Sequence, residues 1–268
     1  SPYHNVSQKH SILKILSDRG KSCSISTFTS LNDTVSMSDE GRFNNTLSSL
    51  KYDDYSLHLV YNSKPDYEGH KHGPDSDNMM LELQNLDKQL EIFVTGCKKI
   101  KPSTTFVILG DHGMTQVRHR IDVINEIKII AKQNRLKLIK DYIFFADSTM
   151  LRIWYHSDRA RELLYKDLVE SKILTTYGIF VDKEYAKNNH IPFSDKRYGD
   201  LIWLAKSGVL LSPDFFNSGQ PKNGMHGYDP LDPSSHGTCI VHGETIEPQY
   251  EENAELTEVY EILKELLL

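Results

Sequence analysis

The sequence predicts an α/β fold in which a central, mostly parallel sheet is flanked by helices, in one domain covering residues 1–268. Three observations predict it. Segments rich in β-branched residues alternate with segments of helical periodicity, the pattern of strands linked by crossover helices. The apolar run Thr105 to Leu109 ends on Gly110, Asp111 and His112, and in such folds ligands sit beyond the carboxyl ends of the strands. Finally, 268 residues with 38% hydrophobic content can bury a large core, and no Pro/Gly/Ser-rich linker interrupts them.

Taken in order, "SILKILSDRG" (11–20) carries Ile12, Leu13, Ile15 and Leu16 and stops at a glycine, so it reads as a helix. "YSLHLVYN" (55–62) alternates and reads as a strand whose carboxyl end runs into "SKPDYEGHKHGPDS". There Pro65 and Gly69 predict a tight loop around Asp66 and His70. The next helix places Met79, Leu83, Leu86, Leu90, Phe93 and Cys97 at steps of four and three, with Asp75 or Ser76 as its cap. That stripe reads as core. After the strand at 105–109, a helix is expected near Ile121 to Lys132, then two β-rich pieces, "DYIFFAD" and "MLRIWYH", then a capped surface helix over 157–170. The pattern weakens from 171 to 200. "LIWLAKSGVLLS" (201–212) restores strand character around a glycine turn, and the last helix, Leu256 to Leu268, aligns Leu256, Val259, Tyr260, Leu263 and Leu267.

A formal charge of -6 and a pI near 6.0 supply no basic stripe for a nucleic-acid polymer. An anionic small substrate would then need positive charge from a metal. No apolar stretch reaches the length of about 18 residues that a membrane span needs. Cys23, Cys97 and Cys239 lack metal or disulfide spacing and read as small buried residues. Sequons stand at Asn5, Asn32 and Asn44; glycosylation is given no weight in an Asn-rich chain.

Three stretches join aspartate and histidine in small-residue turns: "PDYEGHKHGP", "GDHGM" and "GMHGYDP". Imidazole nitrogen and carboxylate oxygen suit Zn²⁺, and two such ions can clamp the attacking and leaving oxygens of a phosphoryl transfer. Asp66 and His70 are four apart. Asp111 and His112 are adjacent, and neighbours on a strand point to opposite faces, so both must lie in a turn that Gly110 and Gly113 permit. Gly224 and Gly227 flank His226 in the same way. His72, His119, His156, His190, His236 and His242 have no such turn around them and read as surface or satisfied histidines.

In their order and separation, "PDYEGHKHGPDS", "GDHGMTQV" and "GMHGYDPLDPSSHG" resemble the nucleotide pyrophosphatase/phosphodiesterase family of the alkaline phosphatase superfamily. "DSTMLRIWY" and "RYGDLIWLAKSGVLLSPDFF" look like its bacterial and archaeal members, and "ELTEVYEILKELLL" is similar to the helix closing its catalytic domain. The resemblance implies an alkaline-phosphatase-like fold and two zinc ions: Asp66, His70 and His226 on one, Asp111 and His112 contributing to the other. Tyr228 and Asp229, next to His226, are candidates to orient its ring.

It further implies hydrolysis of phosphodiester or pyrophosphate bonds in a nucleotide or other small phosphodiester by double displacement, with a threonine nucleophile. The family places that threonine, and an aspartate ligand, well upstream of the first motif, whereas 65 residues precede Asp66 here. The nucleophile is therefore expected upstream of Ser1, the domain is expected to be N-terminally incomplete, and this chain alone is expected to turn over phosphodiesters poorly or not at all. Thr27 and Thr29 in "SISTFTSLN" have a superficially suitable setting, but their position matches a later strand. An ethanolamine-phosphate transferase shares the look of "GHKHGP" and "GDHGMT", but those enzymes carry many membrane spans, and "GMHGYDP" favours the phosphodiesterases. A catalytically silent metal-binding fragment is the reading favoured by the missing nucleophile.

Overall fold

The computed structural model describes residues 11–27, 37–193, 195–216, 222–247 and 254–268. In chain order these hold α1 (Ile12–Asp18), β1 (Cys23–Thr27), α2 (Asp39–Tyr52), β2 (Leu57–Val60), α3 (Lys64–His72), α4 (Asp77–Ile100), β3 (Phe106–Leu109), β4 (Thr115–Gln116) and β5 (His119–Ile121). Then come α5 (Val123–Gln133), β6 (Tyr142–Asp147), β7 (Met150–Tyr155), α6 (Asp158–Glu170), α7 (Lys172–Tyr177), β8 (Gly178–Phe180) and α8 (Lys183–Asn188). The series closes with β9 (Leu201–Ala205), β10 (Val209–Leu211), β11 (Gly224–Met225), β12 (Cys239–His242) and α9 (Glu258–Leu267). Thr29, Asn5 and Asn32 lie outside the described residues. Asn44 sits exposed on α2.

The chain is α/β, but its pairings are mixed. β1–β2 and β5–β10 are parallel; β3–β12, β4–β11 and the four-stranded sheet β6-β7-β9-β8 are antiparallel. The expectation of a mostly parallel sheet overlooked a signal in the sequence: only Ser148 and Thr149 separate β6 from β7, and a two-residue connection can join only antiparallel strands.

The contacts gather into two compact units. The first comprises Ser1–Tyr67, Met80–Asp111 and Thr238–Leu268; the second comprises Glu68–Met79 and His112–Gly237. In the first, α2 lays Phe43 and Leu50 against Phe93 and Cys97 of α4 and Phe106 of β3. The apolar stripe of α4 is core only in its later turns, because Leu83 is exposed. Cys97 is buried as expected, whereas Cys239 is exposed at the start of β12. His58 on β2 has both ring nitrogens buried without a hydrogen-bond partner among the described residues, and burial, then the charge of Lys101, lowers its pKa against the pull of Asp53.

In the second unit, α5, α6 and α7 cover the four-stranded sheet, with Ile127, Leu151, Ile153, Leu164, Leu168, Leu174 and Trp203 all but sealed from solvent. The indole N–H of Trp203 donates to the Leu174 carbonyl at 3.0 Å, so the largest buried ring leaves no orphan donor. The helices start where capping chemistry places them: Asp122, Ser157 and Ser171 each accept from an amide in the first turn. Between 171 and 200 the structure has α7, β8 and α8, of six, three and six residues. Elements so short span at most two helical turns, too few for periodicity to register.

Candidate metal centre

Residues 64–72, expected as a loop, form the helix α3. Pro65 is compatible because its missing N–H would have no partner in a first helical turn. Gly69 does not make a turn either. A Cβ there would lie 3.0 Å from the Met114 Cε; the close backbone approach requires glycine at position 224, where a Cβ would lie 2.3 Å from the Gly69 carbonyl oxygen. Gly73, at φ +91°, then ends the helix in the left-handed conformation. One consequence is direct. Asp66 and His70, at i and i+4, share one face of α3.

Three histidines meet in the second unit. The rings of His112 and His226 stack with centroids 3.7 Å apart at 16°, and His70 lies 4.9 Å from His226 at 42°. The antiparallel β4–β11 ladder brings them there: with Gly224 opposite Gln116 and Met225 opposite Thr115, His226 leaves β11 alongside the residues that lead into β4. Gly227, at φ +84°, turns the chain immediately after His226. Gly113 acts by close approach rather than by an unusual φ, since a Cβ there would fall 2.2 Å from the Ser234 carbonyl oxygen.

The ring nitrogens are assigned by their partners. His70 Nδ1 lies 2.9 Å from the Gly224 carbonyl oxygen and His112 Nδ1 lies 2.8 Å from that of Gly113. A carbonyl only accepts, so each Nδ1 carries the proton and each Nε2 presents the lone pair, the arrangement of a metal-ligating histidine. One ligand atom from each of Asp66, His70 and His226 lies within 4.8 Å of the others. Two imidazoles and a carboxylate, half-buried and with the His70 tautomer set by a backbone carbonyl, are a donor set that fits Zn²⁺.

In the first unit the carboxylates Asp66 and Asp111 share a neighbour in Tyr61. Burial first, and then the charges of Asp66 and Asp111, raise the Tyr61 phenol pKa, with Arg42 opposing. Asp111 follows β3 and is exposed; the peptide bond to His112 joins it to the histidine group.

Other positions resolve as follows. Tyr228 is in the core of the second unit, its pKa raised by burial. The Asp229 carboxylate accepts from the Leu231 amide at 2.9 Å and faces Tyr185, whose pKa is pushed up to about 12 by burial and then by the Asp229 charge. His236 Nε2 donates to the Pro230 carbonyl at 3.1 Å, His156 Nδ1 donates to that of Ile139 at 2.8 Å, and His242 Nε2 meets the Lys98 ammonium at 2.6 Å. His72 lies 3.4 Å from Glu68, and His119 packs on Tyr177. Thr27 is the last residue of β1.

Two residues that support the histidines escaped the sequence reading. Asn223 donates its backbone N–H to the His70 carbonyl at 2.8 Å and its side-chain amide to the Lys71 carbonyl at 2.9 Å, satisfying groups that the end of α3 leaves open. Thr149 donates its hydroxyl to the Gly227 carbonyl at 2.6 Å. Neither lies near its partner in sequence, so no local pattern marks it.

Comparison with known proteins bears on this arrangement. The family model described as "Type I phosphodiesterase / nucleotide pyrophosphatase" matches residues 8–229. Venom phosphodiesterase 2 of Crotalus adamanteus is 23% identical over 225 residues, covering 78% of this chain and 25% of the venom protein. Ectonucleotide pyrophosphatase/phosphodiesterase family member 5 of Homo sapiens is 26% identical over 219 residues, covering 79% of this chain and 42% of the human protein. The chain thus spans less than half the length of these relatives. Among solved structures, human ectonucleotide pyrophosphatase/phosphodiesterase 5 superposes with a TM-score of 0.75 at 20% identity, over 96% of this chain and 70% of that one. An inactive variant of the murine protein in complex with AMP gives 0.72 at 20% identity, over 94% and 68%.

Proposed function

Because this chain belongs to the type I phosphodiesterase / nucleotide pyrophosphatase family, we propose that it supplies the metal-holding part of a zinc-dependent hydrolase acting on phosphodiester or pyrophosphate bonds of nucleotides or related small molecules. The observation that carries this reading is the convergence of Asp66, His70 and His226. In it these three residues hold one zinc, while Asp111 and His112 contribute to a second. Bound zinc would supply the positive charge that a chain of net charge -6 lacks for an anionic phosphoryl group. The chain's own residues set the geometry. The Gly224 and Gly113 carbonyls hold His70 and His112 in the tautomer that offers Nε2. Tyr228 and Asp229 steady His226, the first by burying its ring two residues further on, the second by closing the following turn through the Leu231 amide.

A nucleotide as substrate is supported by the AMP bound to the murine relative. Among the described residues no helix is long and apolar enough to cross a membrane, and the matched family favours the phosphodiesterase reading over an ethanolamine-phosphate transferase. Calorimetric titration with AMP tests the proposal: binding is expected with zinc present, and is expected to vanish after chelation and in His226→Ala. AMP binding that is indifferent to both treatments would contradict it.

A further inference from the structure

The nine-residue helix α3, which bears Asp66 and His70, is too short to hold itself, and its first turn is tied down by a residue from another element. Asp39, the first residue of α2, extends its carboxylate to the start of α3. It accepts from the Ser63 amide at 3.2 Å to either oxygen, from the Ser63 hydroxyl at 3.1 Å and from the Lys64 amide at 3.0 Å. The Arg42 guanidinium completes the set with a short ion pair to the same carboxylate. Four donor groups thus meet a carboxylate that offers about four lone-pair sites. The pair is well buried, with the Arg42 and Asp39 side chains 6% and 11% exposed. Arg42 also lies over the Tyr61 ring at 5.5 Å and reaches the Tyr61 carbonyl at 3.4 Å, so the connection from β2 into α3 is gripped along its length.

This arrangement is unlike ordinary helix capping. Ser63, the residue before α3, donates its hydroxyl to Asp39, so the negative charge at the amide end of the helix comes from α2. Lys64 adds a second tether, its ammonium meeting the buried Glu82 of α4 at 2.6 Å. Asp66 stands two residues beyond the captured Lys64 amide. A buried ion pair is weak evidence for stability as such, because apolar packing often serves as well. Fixing the heading of a short helix is a role that apolar packing would not fill.

We propose that Asp39 is a positioning residue for the metal site, fixing the start of α3 through Ser63 and Lys64 and thereby aiming the Asp66 carboxylate. The proposal rests on the reading that Asp66 and His70 hold zinc. Three variants test it: Asp39→Ala, Asp39→Asn, and Asp39→Ala combined with Arg42→Met, which removes the stranded guanidinium in case the single variant folds poorly. Zinc affinity is measured against a competing chelator, and amide hydrogen exchange is followed at residues 63–67.

Asp39→Ala is expected to weaken zinc binding by about the 10-to-100-fold typical of losing a ligand-orienting partner and to speed exchange at Ser63, Lys64 and Asp66. Asp39→Asn, which keeps one of the two acceptor oxygens and replaces the other with an NH2 donor, should restore only part of both. The double variant should recover circular dichroism and thermal midpoint while zinc binding stays weak, an outcome that a merely structural role would not give. Unchanged zinc affinity in a folded Asp39→Ala or double variant would overturn the proposal. Should the unsubstituted protein bind no zinc, the metal reading fails separately, and unaltered exchange at 63–67 in Asp39→Ala would still overturn the claim that Asp39 fixes α3.

Discussion

The rings of His112 and His226 lie face to face with 3.7 Å between centroids, although 113 positions separate them in sequence. Each is placed by a glycine beside it: Gly113 by letting the Ser234 backbone close in, Gly227 by adopting φ +84°.

Gly113→Ala should therefore damage the site without touching a ligand. Its Cβ would meet the carbonyl oxygens of Ser234 and His236 at 2.2 and 2.8 Å, and backbone cannot swing aside as a side chain can. Overpacking of this kind costs about 1–3 kcal/mol. Thermal unfolding with and without zinc should show a midpoint lowered by several degrees and a smaller upward shift on adding zinc. A variant matching the unsubstituted protein in both would mean that the approach at Gly113 is dispensable.

His58 should make stability depend on pH. Its pKa is lowered in the folded chain by burial and Lys101, so the unfolded chain binds the proton more readily. Stability is then full above the unfolded value of about 6.5 and declines as pH falls from there toward the depressed folded value. Denaturant midpoints at pH 7.5, 6.5 and 5.5 should fall more steeply for the unsubstituted protein than for His58→Phe, which removes the titrating group. Parallel curves would show that His58 is not destabilised by protonation.

Asp66→Ala and His70→Ala should behave as one unit. Both residues serve one ion from one face of α3, and ligands of a single site are non-additive. Zinc content measured by plasma mass spectrometry should fall by the same equivalent in either variant and no further in the double one. A stepwise loss would assign them to separate ions.

Much of this was legible in the chain, for physical reasons that differ by residue. The apolar residues of α1 and the cap Ser157 of α6 announced their helices because both signals are local, and β3 announced its end because Gly110 follows an apolar run. α3 was hidden because proline and glycine ordinarily signal turns; here Pro65 sits in the first turn, where its missing N–H is no loss, and Gly69 lies within the helix against the Met114 side chain. The contacts of Asn223 to His70 and of Asp39 to Ser63 and Lys64 were not legible at all, because each joins distant parts of the chain. Asp66, His70, Asp111, His112 and His226 stood out because their residue types and glycine settings repeat in three places. The direction of strand pairing was legible only at β6 and β7, through their two-residue connection; elsewhere apolar alternation is the same for either direction.

The most direct test of the metal reading compares His226→Ala, His236→Ala and His242→Ala in zinc titrations against a competing chelator. His226 lies against His70 and His112, whereas His236 is held by the Pro230 carbonyl and His242 by Lys98. His226→Ala should weaken zinc binding by at least about 10-to-100-fold, with the other two close to the unsubstituted protein. Loss of the metal in His236→Ala, with His226→Ala unaffected, would contradict the assignment of the site.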